Sequence, residues 1–126
     1  MKLGSLKLKL QLACGDGFAM GPGKADLLDA IAREGSISAA GRALGMSYRR
    51  AWLLVDEMNR CFHDRVVETL AGGGRERGAR LTDAGREVLD AYRSLERDAM
   101  RLADGEAYRR LAAGLRDRPL TPRADS

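Results

Sequence analysis

Side chains able to contact a nucleic acid are clustered near the middle of the chain. Ser47, Tyr48, Arg49 and Arg50 follow one another directly. A guanidinium group can donate paired hydrogen bonds to a guanine edge or to a phosphate, and hydroxyl groups can reach either. This run predicts a DNA contact; the alternative is that the two arginines are solvated surface residues and Tyr48 packs on the wing. Trp52, one turn further on, is interpreted as packing rather than as stacking on bases.

The residues before this run have the spacing of a helix-turn-helix. Gly35 stops one helix, Ser36 caps a short second helix that ends at Gly45, and Ser47 caps a third helix running to about Asn59. Two crossing helices need small residues at their contact, a left-handed residue in the turn and an apolar residue after it. The sequence meets these needs in register with Ala40, Gly41, Gly45 and Met46. The first turn of the third helix is the part that such motifs insert into the major groove.

A β-hairpin is predicted after the third helix. Residues 66–70 are rich in β-branched types, residues 71–78 are rich in glycine, and residues 80–82 provide the return strand. Arginines on this hairpin could follow the DNA backbone or the minor groove. The complete set of predicted DNA-contacting residues is Ser36, Ser38, Ser47, Tyr48, Arg49, Arg50, Arg75, Arg77 and Arg80.

The flanking segments complete a fold prediction. Residues 3–11, whose second half strictly alternates apolar and polar types, are predicted to form a strand with one buried face. The glycine-rich residues 14–23 are predicted to form a loop before a helix that begins at Lys24. The predicted fold class is α+β, mainly α. It is a winged helix-turn-helix with an N-terminal strand, a two-stranded wing and a long C-terminal dimerisation helix. The order of elements alone would also suit other small α+β domains.

The last long helix carries an apolar stripe. Thr82 is its predicted cap, and apolar or small residues recur at alternating spacings of four and three, which is typical of a helix packed lengthwise on another helix. Part of the stripe must cover the domain's own core, and the remainder predicts a homodimer. The predicted dimer contacts are Val88, Tyr92, Leu95, Ala99 and Leu102. We expect residues 1–104 to form the DNA-binding domain and residues 105–126 a short helix with a flexible tail.

Composition and charge exclude several classes of protein. The 126 residues are 44% hydrophobic and 32% charged, and the net charge is +4, which suits a globular domain with a polyanionic partner. No apolar run is long enough for a membrane span and no secretory signal is evident, so we expect a cytoplasmic protein with Cys14 and Cys61 reduced. No arrangement of catalytic side chains stands out, so we expect neither an enzyme nor a cofactor.

Several short motifs together resemble one family of regulators. These are the run at residues 35–38, the Ser-Tyr-x-x-Ala-Trp element at 47–52, Glu-Met-Asn at 57–59 and Leu-Thr-Asp-Ala-Gly at 81–85. Over residues 5–100 the chain resembles the DNA-binding half of the molybdenum-responsive ModE regulators, and some elements also occur in LysR-type regulators. The resemblance implies a homodimer whose third helix reads a palindromic operator. Because ModE proteins carry oxyanion-binding domains beyond this half, we expect this chain not to bind molybdate by itself; regulation would come from concentration, a partner protein or a separate ligand-binding chain.

Three functions are compatible with these observations. The leading hypothesis is a sequence-specific, dimeric, DNA-binding transcriptional regulator. An alternative is a protein-interaction module on the same scaffold, because Asp56 and Glu57 offset the arginines of the third helix. A further alternative is a metal- or redox-responsive regulator that uses Cys61 and His63, although metal sites usually have three or four ligands.

Overall fold

A computed structural model describes residues 2–71 and 77–123 and confirms the winged helix-turn-helix prediction. The helices are α1 (Pro22–Glu34), α2 (Ile37–Ala43), α3 (Tyr48–Cys61), α4 (Asp83–Ala99) and α5 (Glu106–Ala113), with a 3₁₀ segment at Met100–Asp104. The strands are β1 (Lys2–Leu3), β2 (Leu6–Lys7), β3 (Leu12–Cys14), β4 (Gly17–Met20), β5 (Val67–Thr69) and β6 (Ala79–Leu81). They pair as three antiparallel hairpins, β1–β2, β3–β4 and β5–β6, of which the last is the wing. Among the described residues, no helix combines the length and apolarity needed to cross a bilayer.

The N-terminal region differs from its prediction. Instead of one strand over residues 3–11, the chain folds back twice, with Gly4 at φ 58° and Gly15 at φ 59° in the two turns. Glycine adopts this left-handed backbone without steric cost, so both positions permit tight turns. Of the alternating residues 6–11, only Leu6–Lys7 lies in a strand, and residues 8–11 have no regular secondary structure. The loop predicted over residues 14–23 is also wrong in part, because β4 lies within it.

The hydrophobic core surrounds α1. Leu27, Leu28 and Ile31 are fully buried there, together with Met20 of β4 and Met58 of α3. Helices α2, α3 and α4 and strand β6 all contact α1. Because α1 is covered on several sides, the short helices α2 and α3 are fixed relative to each other by packing on a common support.

The predicted helix caps are confirmed. The hydroxyl oxygens of Ser36, Ser47 and Thr82 accept hydrogen bonds from the backbone N–H groups three residues later, at 3.0, 3.0 and 2.9 Å. Each cap satisfies one N–H group that the start of a helix would otherwise leave without a partner. These three hydroxyls therefore set where α2, α3 and α4 begin.

Helix α4 is fixed to the rest of the fold by polar contacts as well as by its apolar face. The Tyr92 hydroxyl donates to the Leu10 carbonyl at 2.7 Å, and burial, with a contribution from Glu96, raises the pKa of Tyr92. The guanidinium of Arg93 donates to Asp29 at 2.6 Å and to Asp26 at 2.9 Å on α1. Tyr92 is thus a core residue of its own chain, 2% exposed, and not the dimer contact predicted from its spacing.

The two cysteines form a disulfide. Cys14 at the end of β3 is bonded to Cys61 at the end of α3, with their Cα atoms 6.1 Å apart. The prediction of two reduced thiols is therefore wrong for this structure. The cysteines are 47 residues apart in sequence, and the contact of the β3–β4 hairpin with α3, which brings them together, has no signature in the sequence.

We expect Cys14→Ser to lower the free energy of unfolding by about 2–4 kcal/mol under oxidising conditions, because the disulfide restricts the unfolded chain. Urea denaturation followed by circular dichroism measures this loss. Cys61→Ser should give the same loss, and reductant should bring the wild-type chain down to the level of either variant. Equal stability of all three proteins without reductant would show that the bond contributes nothing.

Candidate nucleic-acid interface

The turn between α2 and α3 has the geometry that a helix-turn-helix requires. Gly45 has φ 70°, and the Met46 N–H donates to the Gly41 carbonyl at 2.9 Å, which directs the chain from one helix into the next. A Cβ atom on Gly41 would lie 3.2 Å from the Ala51 Cβ, so the two helices cross in close contact. In the first turn of α3, Arg49 and Arg50 are exposed while Ala51 packs against α2.

The two arginines of that first turn are free to bind a ligand. Arg49 and Arg50 are exposed, and neither guanidinium is ion-paired within residues 2–71 and 77–123. Tyr48 beside them is half-buried, and the Ser47 hydroxyl is occupied as a cap acceptor. Two uncompensated cations at an exposed helix start form a local site for a polyanion.

The acidic residues of α3 are neutralised by neighbours. The carboxylate of Glu57 pairs with Lys24 Nζ at 2.6 Å, and that of Asp56 pairs with Arg60 Nε at 2.9 Å. Asp56 lines one depression with Arg49, but within the described residues neither acid forms an ion pair with Arg49 or Arg50. Helix α3 therefore has a positively charged first turn, and the acidic residues in its middle are neutralised by ion pairs.

Two of the predicted DNA-contacting serines are buried. Ser36 is 8% exposed and its hydroxyl caps α2; Ser38 is 6% exposed and its hydroxyl accepts from Arg42 Nη1 at 2.8 Å. Both side chains lie within the domain, away from the exposed start of α3. In this structure they position α2.

The wing separates its arginines between two faces. Arg80 forms an ion pair with Glu68 at 2.6 Å, and the two residues line a depression shared with the start of α4. Thr69 and Arg77 instead line the cleft next to α3. Arg80 is therefore not brought together with Arg49 and Arg50. The predicted contact at Arg75 lies outside the described residues.

A cleft of about 330 Å³ separates α3 from the wing. Tyr48 and Trp52 line its helix side, and Arg65 and Arg77 lie on its other side. Trp52 is 41% exposed, so the side chain is partly buried, as its predicted role in packing requires, and partly open to the cleft. The sequence did not predict Arg65 as part of this cleft, because the residue lies outside α3 and the wing strands. Its position directly before the β-branched Val66 and Val67 is the one sequence feature that could have indicated it.

The distance between α3 and the wing is fixed by Asn59. Its Oδ1 accepts from the backbone N–H groups of Val66 and Val67 at 2.8 and 3.2 Å, and its Nδ2 donates to the Val67 carbonyl at 3.1 Å. One side chain on α3 thus satisfies the backbone at the start of β5. The orientation of the wing follows from this contact.

The start of α4 holds the same backbone segment from the other side. The Thr82 N–H donates to the Val66 carbonyl at 3.0 Å, and the Thr82 hydroxyl donates to the Arg65 carbonyl. Gly85 packs so closely that a Cβ atom there would overlap the Val66 carbonyl. The backbone of residues 65–67 is therefore clamped between α3 and α4.

Cys61 and His63, the ligands of the alternative metal-responsive function, do not come together as a site. Cys61 is bonded to Cys14, and His63 is exposed. In the part of the chain that the structure describes, no group of three or more His, Cys, Asp or Glu side chains is placed to hold a metal ion. The geometry gives the metal-responsive alternative no support.

Comparisons with known proteins agree with this geometry. Residues 24–86, half of the chain, match the model of the bacterial regulatory helix-turn-helix proteins of the lysR family. The molybdenum transport protein ModE of Azotobacter vinelandii is 41% identical over 80 residues, which cover 64% of this chain and 30% of that protein. The DNA-binding transcriptional dual regulator ModE of Escherichia coli (strain K12) is 38% identical over 71 residues, 56% of this chain and 27% of the regulator. The resemblance to ModE is confirmed, and the chain spans less than a third of the length of these relatives.

A solved structure shows the same fold. The CbnR DNA-binding domain in complex with DNA superposes with a TM-score of 0.52 at 24% sequence identity. The match covers 71% of this chain and 94% of that domain. The arrangement of helices and wing described above is therefore that of a winged helix-turn-helix fold.

We expect Gly85→Ala to destabilise the fold by about 2–3 kcal/mol, because the added methyl group must displace the backbone at Val66. The matched control is Gly23→Ala on α1, where no atom lies within 4 Å of the new Cβ. Alanine is the better helix former, so this control should be neutral or slightly stabilising. Thermal denaturation distinguishes the two, and equal melting temperatures would contradict the clamp.

Proposed function

The chain belongs to the lysR family of bacterial regulatory helix-turn-helix proteins, and from that premise we propose that it is a transcriptional regulator that binds a specific DNA sequence as a homodimer. The observation that carries this proposal is the pair of exposed, uncompensated arginines at the start of α3. The similarity to a DNA-binding transcriptional regulator of Escherichia coli supports it. The function requires no catalytic chemistry from the chain.

In this proposal some arginines contact bases and others contact phosphates. Arg49 and Arg50 enter the major groove with the first turn of α3, where a guanidinium can read a guanine edge. Arg65 and Arg77 lie across the cleft, where cationic side chains can follow the phosphate backbone. Base contacts give sequence selectivity, and phosphate contacts fix the register of the domain on the duplex.

The proposed dimer uses the exposed end of the apolar stripe. Leu95 is 43% exposed and Leu102 is 61% exposed, while Val88 and Ala99 are half-buried. Pairing of this surface with a second copy would remove apolar area from water and hold two copies of α3 at a fixed separation. Two half-sites about one helical turn apart then form a palindromic operator.

We propose residues 1–104 as the DNA-binding and dimerisation unit, with α5 and the following tail as an addition to it. The Ser5 N–H donates to the Tyr108 hydroxyl at 3.0 Å, so α5 is tied to the N-terminal hairpin. The contact gives α5 a fixed place on the side of the domain formed by β1 and β2. It leaves the start of α3 open to DNA.

We expect Arg49→Ala to weaken binding to the selected operator by about 1–3 kcal/mol and to relax the preference at one base position, because a base contact is removed. Arg65→Ala should weaken binding to all sequences and reduce the salt slope by about 1. Fluorescence anisotropy at several salt concentrations, with a duplex selected from a random pool, measures both effects.

Arg80→Ala is the control for this experiment, because it also removes one positive charge but from an arginine already paired with Glu68. Its affinity and salt slope should remain close to those of the wild-type chain. The DNA-binding proposal fails if the Arg49, Arg50 and Arg65 variants all bind every duplex as the wild-type chain does.

We expect Leu95→Glu to convert the dimer into a monomer, because it places a carboxylate in an apolar interface where it cannot be hydrated. Sedimentation equilibrium measures the mass, and the helical circular dichroism spectrum should be unchanged. Affinity for a palindromic duplex should fall roughly a hundredfold as the two half-sites act independently. Leu111→Glu on α5 is the control and should sediment as a dimer. A wild-type chain that is monomeric at micromolar concentration yet binds the palindrome tightly would overturn the dimer.

A further inference from the structure

The exposed surface of α3 carries two large apolar side chains beside the arginines. Trp52 is 41% exposed and Leu53 is 54% exposed. Both line one shallow depression together with Arg49, which lies one turn earlier on the helix. The opposite face of α3 is buried through Ala51 and Val55, so the helix cannot rotate to cover them.

These residues lie where α3 would meet DNA. Residues 49 and 53 are four apart and therefore share one line along the outer face of the helix, with Trp52 next to it on the side of the wing. Asp56, on the next turn, lines the far end of the same depression and is paired with Arg60. A carboxylate is unfavourable close to phosphates, so the part of α3 that fits a groove runs from Ser47 to Leu53.

The chemistry of the major groove decides what can cover this surface. Among the base edges there, the thymine C5-methyl is the apolar group, and the others present hydrogen-bond donors and acceptors. Bases in an intact duplex are stacked on one another, and insertion of apolar wedges between them is typical of minor-groove binding. An indole at the major groove would therefore contact base edges and not base faces.

We propose that Trp52 and Leu53 contact thymine methyl groups in each half-site, next to the base read by Arg49. This inference rests on the proposed function, because it requires α3 to enter the major groove. Recognition then has an apolar component. The protein would then prefer thymine at these positions because of its C5-methyl group, which uracil lacks.

The test replaces thymine by deoxyuridine, one position at a time, in an operator duplex selected by the wild-type chain from a random pool. Deoxyuridine lacks the methyl group but keeps the same pairing and the same acceptor. We expect the wild-type chain to lose about three- to tenfold in affinity at the contacted positions, as for one buried methyl group. Trp52→Ala or Leu53→Ala should bind the thymine and uracil duplexes equally at the position that each side chain contacts.

Leu111→Ala is the matched control, since it removes an exposed leucine, 74% exposed, on α5 and should retain the full discrimination. If the wild-type chain selects no duplex, the proposed function and this inference both fail. If it binds the selected duplex but is indifferent to every uracil substitution, the inference fails and the function stands. The inference also fails if both variants discriminate as strongly as the wild-type chain.

Discussion

The side chain of Asn59 holds together the two parts of the candidate interface. Its side-chain amide forms three hydrogen bonds with the backbone of Val66 and Val67, where the chain enters β5. Each such hydrogen bond typically contributes about 0.5–1.5 kcal/mol to the free energy of unfolding. Removing the Asn59 side chain would cost more, because it would leave buried backbone groups without a hydrogen-bond partner. Thr82 and Gly85 close on the same segment from α4. The cleft beside α3 keeps its width because this short stretch of backbone is held on both sides.

The arginines of the domain differ in whether carboxylates surround them. On α3 the acids Asp56 and Glu57 are each paired, while Arg49 and Arg50 form no ion pair with any residue that the structure describes. Far from the interface, Arg93 is surrounded by carboxylates. Burial alone would lower its pKa, but the hydrogen bonds that its guanidinium donates to Asp29, Glu96 and Asp26 outweigh burial and raise the pKa of Arg93. Arginine thus has two roles here. It joins helices where carboxylates surround it, and it remains available to a polyanion where none does.

Local rules predicted the elements more accurately than the faces on which side chains lie. The caps at Ser36, Ser47 and Thr82 depend on residues three positions apart, so sequence alone located them. The pairing of Cys14 with Cys61 and the burial of Tyr92 against Leu10 depend on packing between distant segments, which no spacing encodes. The wing is an intermediate case: its strands were predicted, but the separation of Arg80 from the cleft depends on strand register.

The bond between Cys14 and Cys61 also changes the topology of the chain. It closes a covalent ring that contains α1 and α2 and ends at the last residue of α3, so the whole helix-turn-helix lies inside one loop. If the molecule were pulled by its two ends, residues 14–61 would stay unextended; their sequence separation of 47 corresponds to a hidden length of roughly 160 Å. A protease that cuts the exposed turn between α2 and α3 would leave its two products joined until a reductant separates them. Under force or limited proteolysis, the segment that contains the helix-turn-helix therefore behaves as a closed covalent ring, with linear chain on either side.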